Sequence, residues 1–275
     1  MKTYTENDIV SLLDRAGYNR DVVMIHSSLY NLGLLENCQP EDLPDKILNT
    51  LMTHTNDGAL LLPTFNYTFP KTRTCDLRDQ PSEVGILTEE FRSKTPLRSG
   101  HPIFSFSGTG EKAELILKPD TAEFNPFGEN SVFSRLHDSD AIMLMLGVSI
   151  VSACTYLIYC ESRNQVPYRF YKPFYGNVTL MNGSTCEDNF YHFCFPQDGS
   201  IQQDYVPVEN RLLKDGILNR VPFGMGQAYW FRARPFFDRV RDYLQADPWF
   251  LLPEKPKAFW GYVDGAEKIV DSELS

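Results

Sequence analysis

Three apolar runs, each followed by a stretch of helical spacing, constrain the fold more than any other feature of this chain. Val22–Ile25 is short, rich in β-formers and free of polar residues, and it ends at His26-Ser-Ser-Leu29. Ala59–Leu62 follows the turn Asp57-Gly58 and ends at Pro63-Thr-Phe65, and Ala141–Leu146 ends at Gly147. A strand that is apolar on both faces must be covered on both faces, the condition of a parallel sheet held between helices. Each run also delivers polar residues at its C-terminal end, where such sheets hold ligands.

The intervening segments complete the pattern. Thr5 and Asp8 form a capping signature ahead of Ile9, Leu12, Leu13 and Ala16, which repeat at helical spacing up to Gly17. Further helices are expected over Leu43–Met52, Gly85–Ser93, Ser131–Leu136, Ala153–Ser162 and Ala233–Gln245. Ile103–Ser107 alternates and reads as extended. After Pro173 the character changes: Asn177–Met181 and Phe190–Phe195 alternate around Asn182-Gly183, as the strands of an antiparallel hairpin do. The expected fold class is α/β, with a mostly parallel central sheet flanked by helices and an added antiparallel β hairpin or small sheet. The chain has 275 residues, 42% of them apolar, and its prolines and glycines are spread out. One domain over 1–275 is expected, with 173–225 as a β insertion within it.

Composition excludes several functions. A net charge of −10 argues against a nucleic-acid binder, which needs a dense basic face to displace counterions. The same excess of carboxylates suits a cationic ligand, and it serves solubility equally well. No apolar run approaches the roughly 18 residues of a membrane span, so a cytoplasmic protein is expected. Cys38, Cys75, Cys154, Cys160, Cys186 and Cys194 show neither C-x-x-C pairs nor Cys/His ligand spacing, so no zinc or other metal and no disulfide framework is indicated, and buried free thiols are expected.

The candidate site lies where three polar turns converge: His26-Ser-Ser28, Thr64-Phe-Asn66, and the loop carrying Arg98, Ser99 and His101. Ser27 and Ser28 can offer hydroxyls and backbone N–H groups to a phosphate, and Arg98 a bidentate contact. A Ser-Ser turn also serves as an ordinary helix cap, and a lone arginine as a solvated charge.

The motifs His26-Ser-Ser-Leu29, Leu62-Pro-Thr-Phe65, Arg98-Ser-Gly-His-Pro102 with Ser105-Phe106, and Leu146-Gly147 followed by Thr155 and Glu161 stand in an order that resembles one family. It is the aminoglycoside 3-N-acetyltransferase, or antibiotic N-acetyltransferase, family. The likeness covers roughly Val22 to Lys172, with a weaker echo from Gly226 to Leu252. It implies an acyltransferase fold distinct from the GNAT fold, with an acyl-CoA cosubstrate laid across the strand ends. By position, Ser27, Ser28, Arg98 and Ser99 would hold the CoA phosphates or pantetheine. Thr64, Phe65, His101 and Glu161 would border the reaction centre.

One departure stands out. The family segment Thr-x-x-His-x-x-Glu puts a basic histidine and its orienting carboxylate on one helix face. Here it reads Thr155-Tyr-Leu-Ile158-Tyr-Cys-Glu161, so Ile158 replaces the histidine. The resemblance leaves Glu161 to act directly or through water, with Thr155 beside it, or His101 or His192 to fill the space. Cys154 and Cys160 lack a basic neighbour that would lower their pKa, which argues against thiol catalysis.

The acceptor side mixes aromatics and cations: Tyr168, Arg169, Lys172, Tyr175 and, further on, Tyr191, Phe193 and Arg211. Such a surface suits a ring joined to phosphates, as it suits ordinary aromatic packing. The expected acceptor is therefore a nucleotide-linked amino sugar, such as a dTDP-amino-dideoxyhexose for surface polysaccharide or O-antigen. An aminoglycoside, as in antibiotic resistance, and a CoA-binding protein without catalysis are the alternatives. The apolar Ile158 is compatible with an acyl group larger than acetyl, and a homo-oligomer is compatible with the sequence.

Overall fold

The computed structural model describes residues 3–272. Helix α1 (Glu6–Arg15) starts at a complete capping box: Thr5 Oγ1 accepts from the Asp8 N–H at 3.1 Å, and the Asp8 carboxylate accepts from the Thr5 N–H at 2.8 Å. The three apolar runs become β1 (Val22–Ser27), β2 (Ala59–Pro63) and β6 (Ile142–Leu146). They are joined in the main sheet by β4 (Leu97–Arg98), β5 (Phe106–Thr109), β9 (Asn219–Phe223) and β10 (Gly226–Arg232), in the order β4-β5-β2-β1-β6-β10-β9. β1 lies parallel to both β2 and β6. β5 and β10 run antiparallel on the two outer sides, and β4 and β9 reverse once more, so five of the seven strands point the same way.

Alternate residues of the central strands enter two separate cores. Val23, Ile25, Leu60, Leu62, Leu144 and Leu146 pack with α1, α3 (Leu43–Thr55) and α5 (Ile86–Lys94). Val22, Met24, Leu61, Met143 and Met145 face the opposite layer, built by α6 (Ala113–Leu117), α7 (Val132–Asp138), α9 (Thr155–Arg163) and α11 (Ala233–Ala246). This period of two between two helical layers is what the unbroken apolar runs require. Short helices α2 (Leu29–Leu32), α4 (Phe69–Thr72) and α8 (Ile150–Ala153) complete the connections, and α10 (Val206–Lys214) packs on α8 and α11.

The expected hairpin is β7 (Phe170–Thr179) with β8 (Thr185–Cys194), antiparallel from Phe170 opposite Cys194 to Thr179 opposite Thr185. β3 (Thr74–Asp76) adds to β7 in parallel. Within 173–225 the small sheet accounts only for the hairpin, since β9 forms the edge of the main sheet. A last hairpin, β11 (Ala258–Val263) with β12 (Ala266–Ser272), lies against β7.

Two expectations shift. The strand placed at Ile103–Ser107 begins at Phe106, because the His101 ring accepts the Ile103 and Phe104 N–H groups and bends the chain there. The helix expected over Ala153–Ser162 is α9 and starts at Thr155, because the chain breaks at Cys154 with φ −104 and ψ 82, which separates it from the short α8. All six cysteines are free, and Cys75, Cys154 and Cys160 are the buried ones. Among the described residues no helix is long and apolar enough to cross a membrane, and no group of three or more His, Cys, Asp or Glu side chains could hold a metal.

Candidate active site

A cavity of about 500 Å³ opens at the C-terminal ends of β1 and β2, under the loop that follows β6. Its volume falls in the range of small-ligand pockets. His26 and Ser27 come from β1, Pro63 from the end of β2 and Phe65 from just beyond it, and Thr155 and Ile158 from the first turn of α9. Val84 and Thr88, the run Val148, Val151, Ser152, Ala153 and Cys154, and Gln203 and Tyr205 complete the lining. Tyr67 also lines it. No Asp, Glu, Lys or Arg is among the described residues that do so.

Beside the cavity, two hydrogen bonds tie the end of β6 to the turn after β1. The Ser28 N–H donates to Leu146 O at 2.8 Å, and Asn31 Nδ2 donates to Gly147 O at 2.8 Å. Gly147 sits at φ +70, and a Cβ there would lie 2.5 Å from Ser28 O. Only glycine lets the end of β6 come this close to the turn after β1.

Of the residues assigned from sequence, Ser27, Phe65 and Thr155 line the cavity, as does Ile158 at the departure. Ser28 precedes α2 without a side-chain capping bond and is not on the wall. Arg98 is a correction. It is 1% exposed, and its guanidinium donates to Ser105 Oγ at 2.9 Å, Leu77 O at 3.0 Å, Thr64 O at 2.8 Å and Gln80 O. Every arm of the fork is used inside the protein, so none reaches a CoA phosphate. Ser99 is likewise internal, its Oγ accepting the Phe106 N–H, and the Thr64 hydroxyl is held by Ser105. The Arg98-Ser-Gly-His motif is therefore a structural knot. It tightens at Gly100, where a Cβ would lie 2.0 Å from Thr121 O.

His101 and His192 are also corrected. His101 Nδ1 accepts two backbone N–H groups, Nε2 faces Tyr191 O at 3.2 Å, and the residue is fully buried. Burial, the largest influence, pushes its pKa down to about 3. It is a neutral structural ring. His192 lies on β8 opposite Lys172, packed 5.1 Å from the Phe104 ring, with its pKa pushed down to about 4 by burial. Neither histidine lines the cavity.

Glu161 is fully buried behind the wall. Arg169 Nε stands 2.9 Å from one carboxylate oxygen, and the Tyr168 and Tyr205 hydroxyls each donate to the carboxylate at 3.1 Å. Arg169 also stacks 3.7 Å from the Phe195 ring and donates to Tyr205 and Gln203. Tyr168 and Arg169, expected on the acceptor surface, are thus consumed in holding Glu161. Among the described residues, Gln203 and Tyr205 are the members of this network that line the cavity. Lys172 pairs with Glu267 at 2.6 Å, and Tyr175 points outward on β7 at 57% exposure.

Sequence reasoning passed over Tyr67, Gln203 and Tyr205, which come from irregular segments with no periodic signal, and it gave His26 no role of its own. The signal for His26 was present: two residues beyond Met24 on a strand, it must face the same side. Cys154 lines the cavity, but burial pushes its thiol up to about 12, which leaves it inert.

A search of curated proteins finds no match to the chain. Solved structures do match. Apo aminoglycoside acetyltransferase AAC(3)-IVa superposes with a TM-score of 0.69 at 21% identity, over 90% of this chain and 91% of its own. AAC-IIIb, solved as a binary with CoASH, gives 0.73 at 21% identity over 92% and 100%. YokD from Bacillus subtilis gives 0.71 at 18% identity over 90% and 95%. These likenesses show a shared fold. The sequence model of the aminoglycoside 3-N-acetyltransferase family matches residues 24–245, which includes the C-terminal part of β1 and all of β2, β6 and α9. The chain therefore belongs to the aminoglycoside 3-N-acetyltransferase family, acyltransferases that use coenzyme A thioesters.

Proposed function

We propose that this protein transfers an acyl group from coenzyme A to the amine of an amino sugar, with an aminoglycoside-type sugar as the first acceptor class. The observation that carries this reading is the cavity at the ends of β1 and β2, bordered by α9, inside the span that matches the family. Ser27 and Thr155 supply hydroxyls there, and Val84, Val148, Val151, Ala153 and Ile158 supply an apolar wall for the acyl group. The reaction asks little covalent chemistry of the protein. A neutral amine attacks the thioester carbonyl, a proton leaves the nitrogen, and the thiolate departs. The chain supports this by holding the two reactants together and excluding water.

The aminoglycoside class is favoured because the residues that pointed to a nucleotide diphosphate are engaged elsewhere. Arg169 is held by Glu161, and Lys172 by Glu267. One observation supports a second reading, a nucleotide-linked or otherwise weakly cationic amino sugar. The cavity wall carries no carboxylate among the described residues, whereas a polyamine recognised by charge needs several. A thiol-release assay tests both readings, with acetyl-CoA and longer acyl-CoAs offered to aminoglycosides and to nucleotide-linked amino sugars at matched concentrations. Release with aminoglycosides supports the first reading and release only with nucleotide-linked sugars the second. No release with either, despite measurable CoA binding, supports a CoA-binding protein without catalysis.

A further inference from the structure

His26 is the single histidine among the described residues that line the cavity. Strand alternation puts it on the face of Val22 and Met24, the face covered by α9, and the register places it opposite Met145 of β6. The residue is 8% exposed, and its Nε2 is buried within the fold without a hydrogen-bond partner, so the ring meets the cavity with its other edge. An unpaired buried polar atom costs about 1–3 kcal/mol, and chains keep few of them without a reason. His101, by contrast, has a partner at both ring nitrogens. Ile158, where the family motif has its histidine, borders the same cavity and has no atom that can take a proton.

We propose that the His26 imidazole takes the proton released by the acceptor amine, the task Ile158 cannot perform; this assignment rests on the acyltransfer reading above. The amine lone pair forms the C–N bond at the thioester carbonyl, and the carbonyl electron pair moves to oxygen. The proton of the now cationic nitrogen passes to the ring. The oxyanion then reforms the carbonyl, the C–S bond breaks with its electron pair on sulfur, and the imidazolium proton is handed to the thiolate. The products are the amide and the CoA thiol, with His26 neutral again. Burial holds the ring neutral, its pKa pushed down to about 4. It is therefore ready to accept a proton from the acidic nitrogen formed during attack, and too weak a base to deprotonate a free ammonium. The other titratable groups on the wall are Tyr67, Cys154 and Tyr205.

The test is the turnover of His26→Gln, which places a neutral amide near the Nε2 position. It uses acetyl-CoA with sisomicin and with a dTDP-linked amino-dideoxyhexose. The expected result is a loss of about 10²-fold or more in kcat, the usual contribution of a positioned base, with acetyl-CoA affinity and melting temperature close to wild type. Turnover within a few-fold of an active wild type overturns the assignment and leaves the acyltransfer reading standing. Wild-type protein supplies a second measurement if the variant does not fold. Carbethoxylation of His26, located by mass spectrometry, is expected to abolish thiol release and to be blocked by bound acceptor; modified yet active protein overturns the assignment. A wild type that releases thiol with neither acceptor overturns the acyltransfer reading and this assignment with it.

Discussion

Substituting Glu161 by glutamine separates a structural from a catalytic role for the residue that the sequence places at the centre of the chemistry. The change keeps the volume and removes the charge. Glu161 is fully buried, and Arg169 is 7% exposed with its Nε 2.9 Å from the carboxylate. Removing one partner of such a pair leaves an uncompensated buried cation, at a cost of about 3–5 kcal/mol. The glutamine oxygen still accepts from Tyr168 or Tyr205, so the lower half of that range is expected. At roughly 2–4 °C per kcal/mol for a domain of this size, the melting temperature falls by about 10 °C. Circular dichroism melts of Glu161→Gln, Arg169→Met and the double variant close the cycle. The double variant is expected to melt above Glu161→Gln, because no orphan charge remains. Turnover well below the melting temperature is expected within about 10-fold of wild type, since the carboxylate does not line the cavity. A Glu161→Gln protein that melts like wild type but turns over 100-fold more slowly would refute this reasoning and return Glu161 to the chemistry.

Arg98→Met is expected to cost about 3 kcal/mol or more in urea denaturation, because it removes the guanidinium donor from the Leu77 and Gln80 carbonyls and the Ser105 hydroxyl, and leaves the Thr64 carbonyl with the Ser105 hydroxyl alone. CoA affinity of the folded variant stays unchanged, and a selective loss of CoA binding in a stable protein would contradict the burial argument. Stability is expected to fall on acidification below pH 6.5. His26, His101 and His192 have pKa values pushed down to about 4, 3 and 4 from 6.5, so the unfolded chain binds protons there that the native state refuses. Glu123 opposes them: burial lifts it from 4.5 to about 8, and its contribution is present at low pH and lost as pH rises through 8. His137, also pushed down by burial, acts in the same direction as the three, and the histidines outweigh the one carboxyl, so stability is expected to rise by about 2 kcal/mol or more per pH unit between pH 5 and 6. Denaturation at those two pH values checks it, a flat profile contradicts it, and Glu123→Gln is expected to steepen the slope.

The layers of the fold were legible because their cause is local. Val22–Ile25, Ala59–Leu62 and Ala141–Leu146 are apolar at every position, and only a strand covered on both faces uses such a run. β4, β9 and the terminal hairpin were not legible, being short strands whose pairing depends on distant partners. Of the residues singled out in sequence, Ser27 and Phe65 at the strand ends and Thr155 at the start of α9 line the candidate cavity. Burial was not legible where a polar side chain serves the interior. Arg98, His101, Glu161 and Arg169 look in sequence like groups offered to a ligand, because sequence carries residue type but not burial. The partners that occupy them lie far along the chain: Leu77 O for Arg98, Tyr191 O for His101, Tyr205 for Glu161.

The replacement of the family histidine by Ile158 also fixes how the rate responds to pH. Each titratable group on the cavity wall is held away from the working range. His26 is pushed down to about 4 and Cys154 up to about 12, while burial raises Tyr67 and lifts Tyr205 far above its ordinary value. None of them changes charge between about pH 5 and 10. The charges behind the wall, Glu161 and Arg169, are paired with each other at 2.9 Å. An ammonium entering this uncharged cavity finds no carboxylate to offset its desolvation, so the acceptor binds productively as the free amine. The profile of kcat/KM is therefore expected to rise with pH along one limb, at the pKa of the acceptor amine. It should move when an acceptor of different amine pKa is used. A limb near pH 6–7 that stays in place when the acceptor is changed would show a titrating protein base of ordinary pKa, and would refute the view that the wall has no working charge.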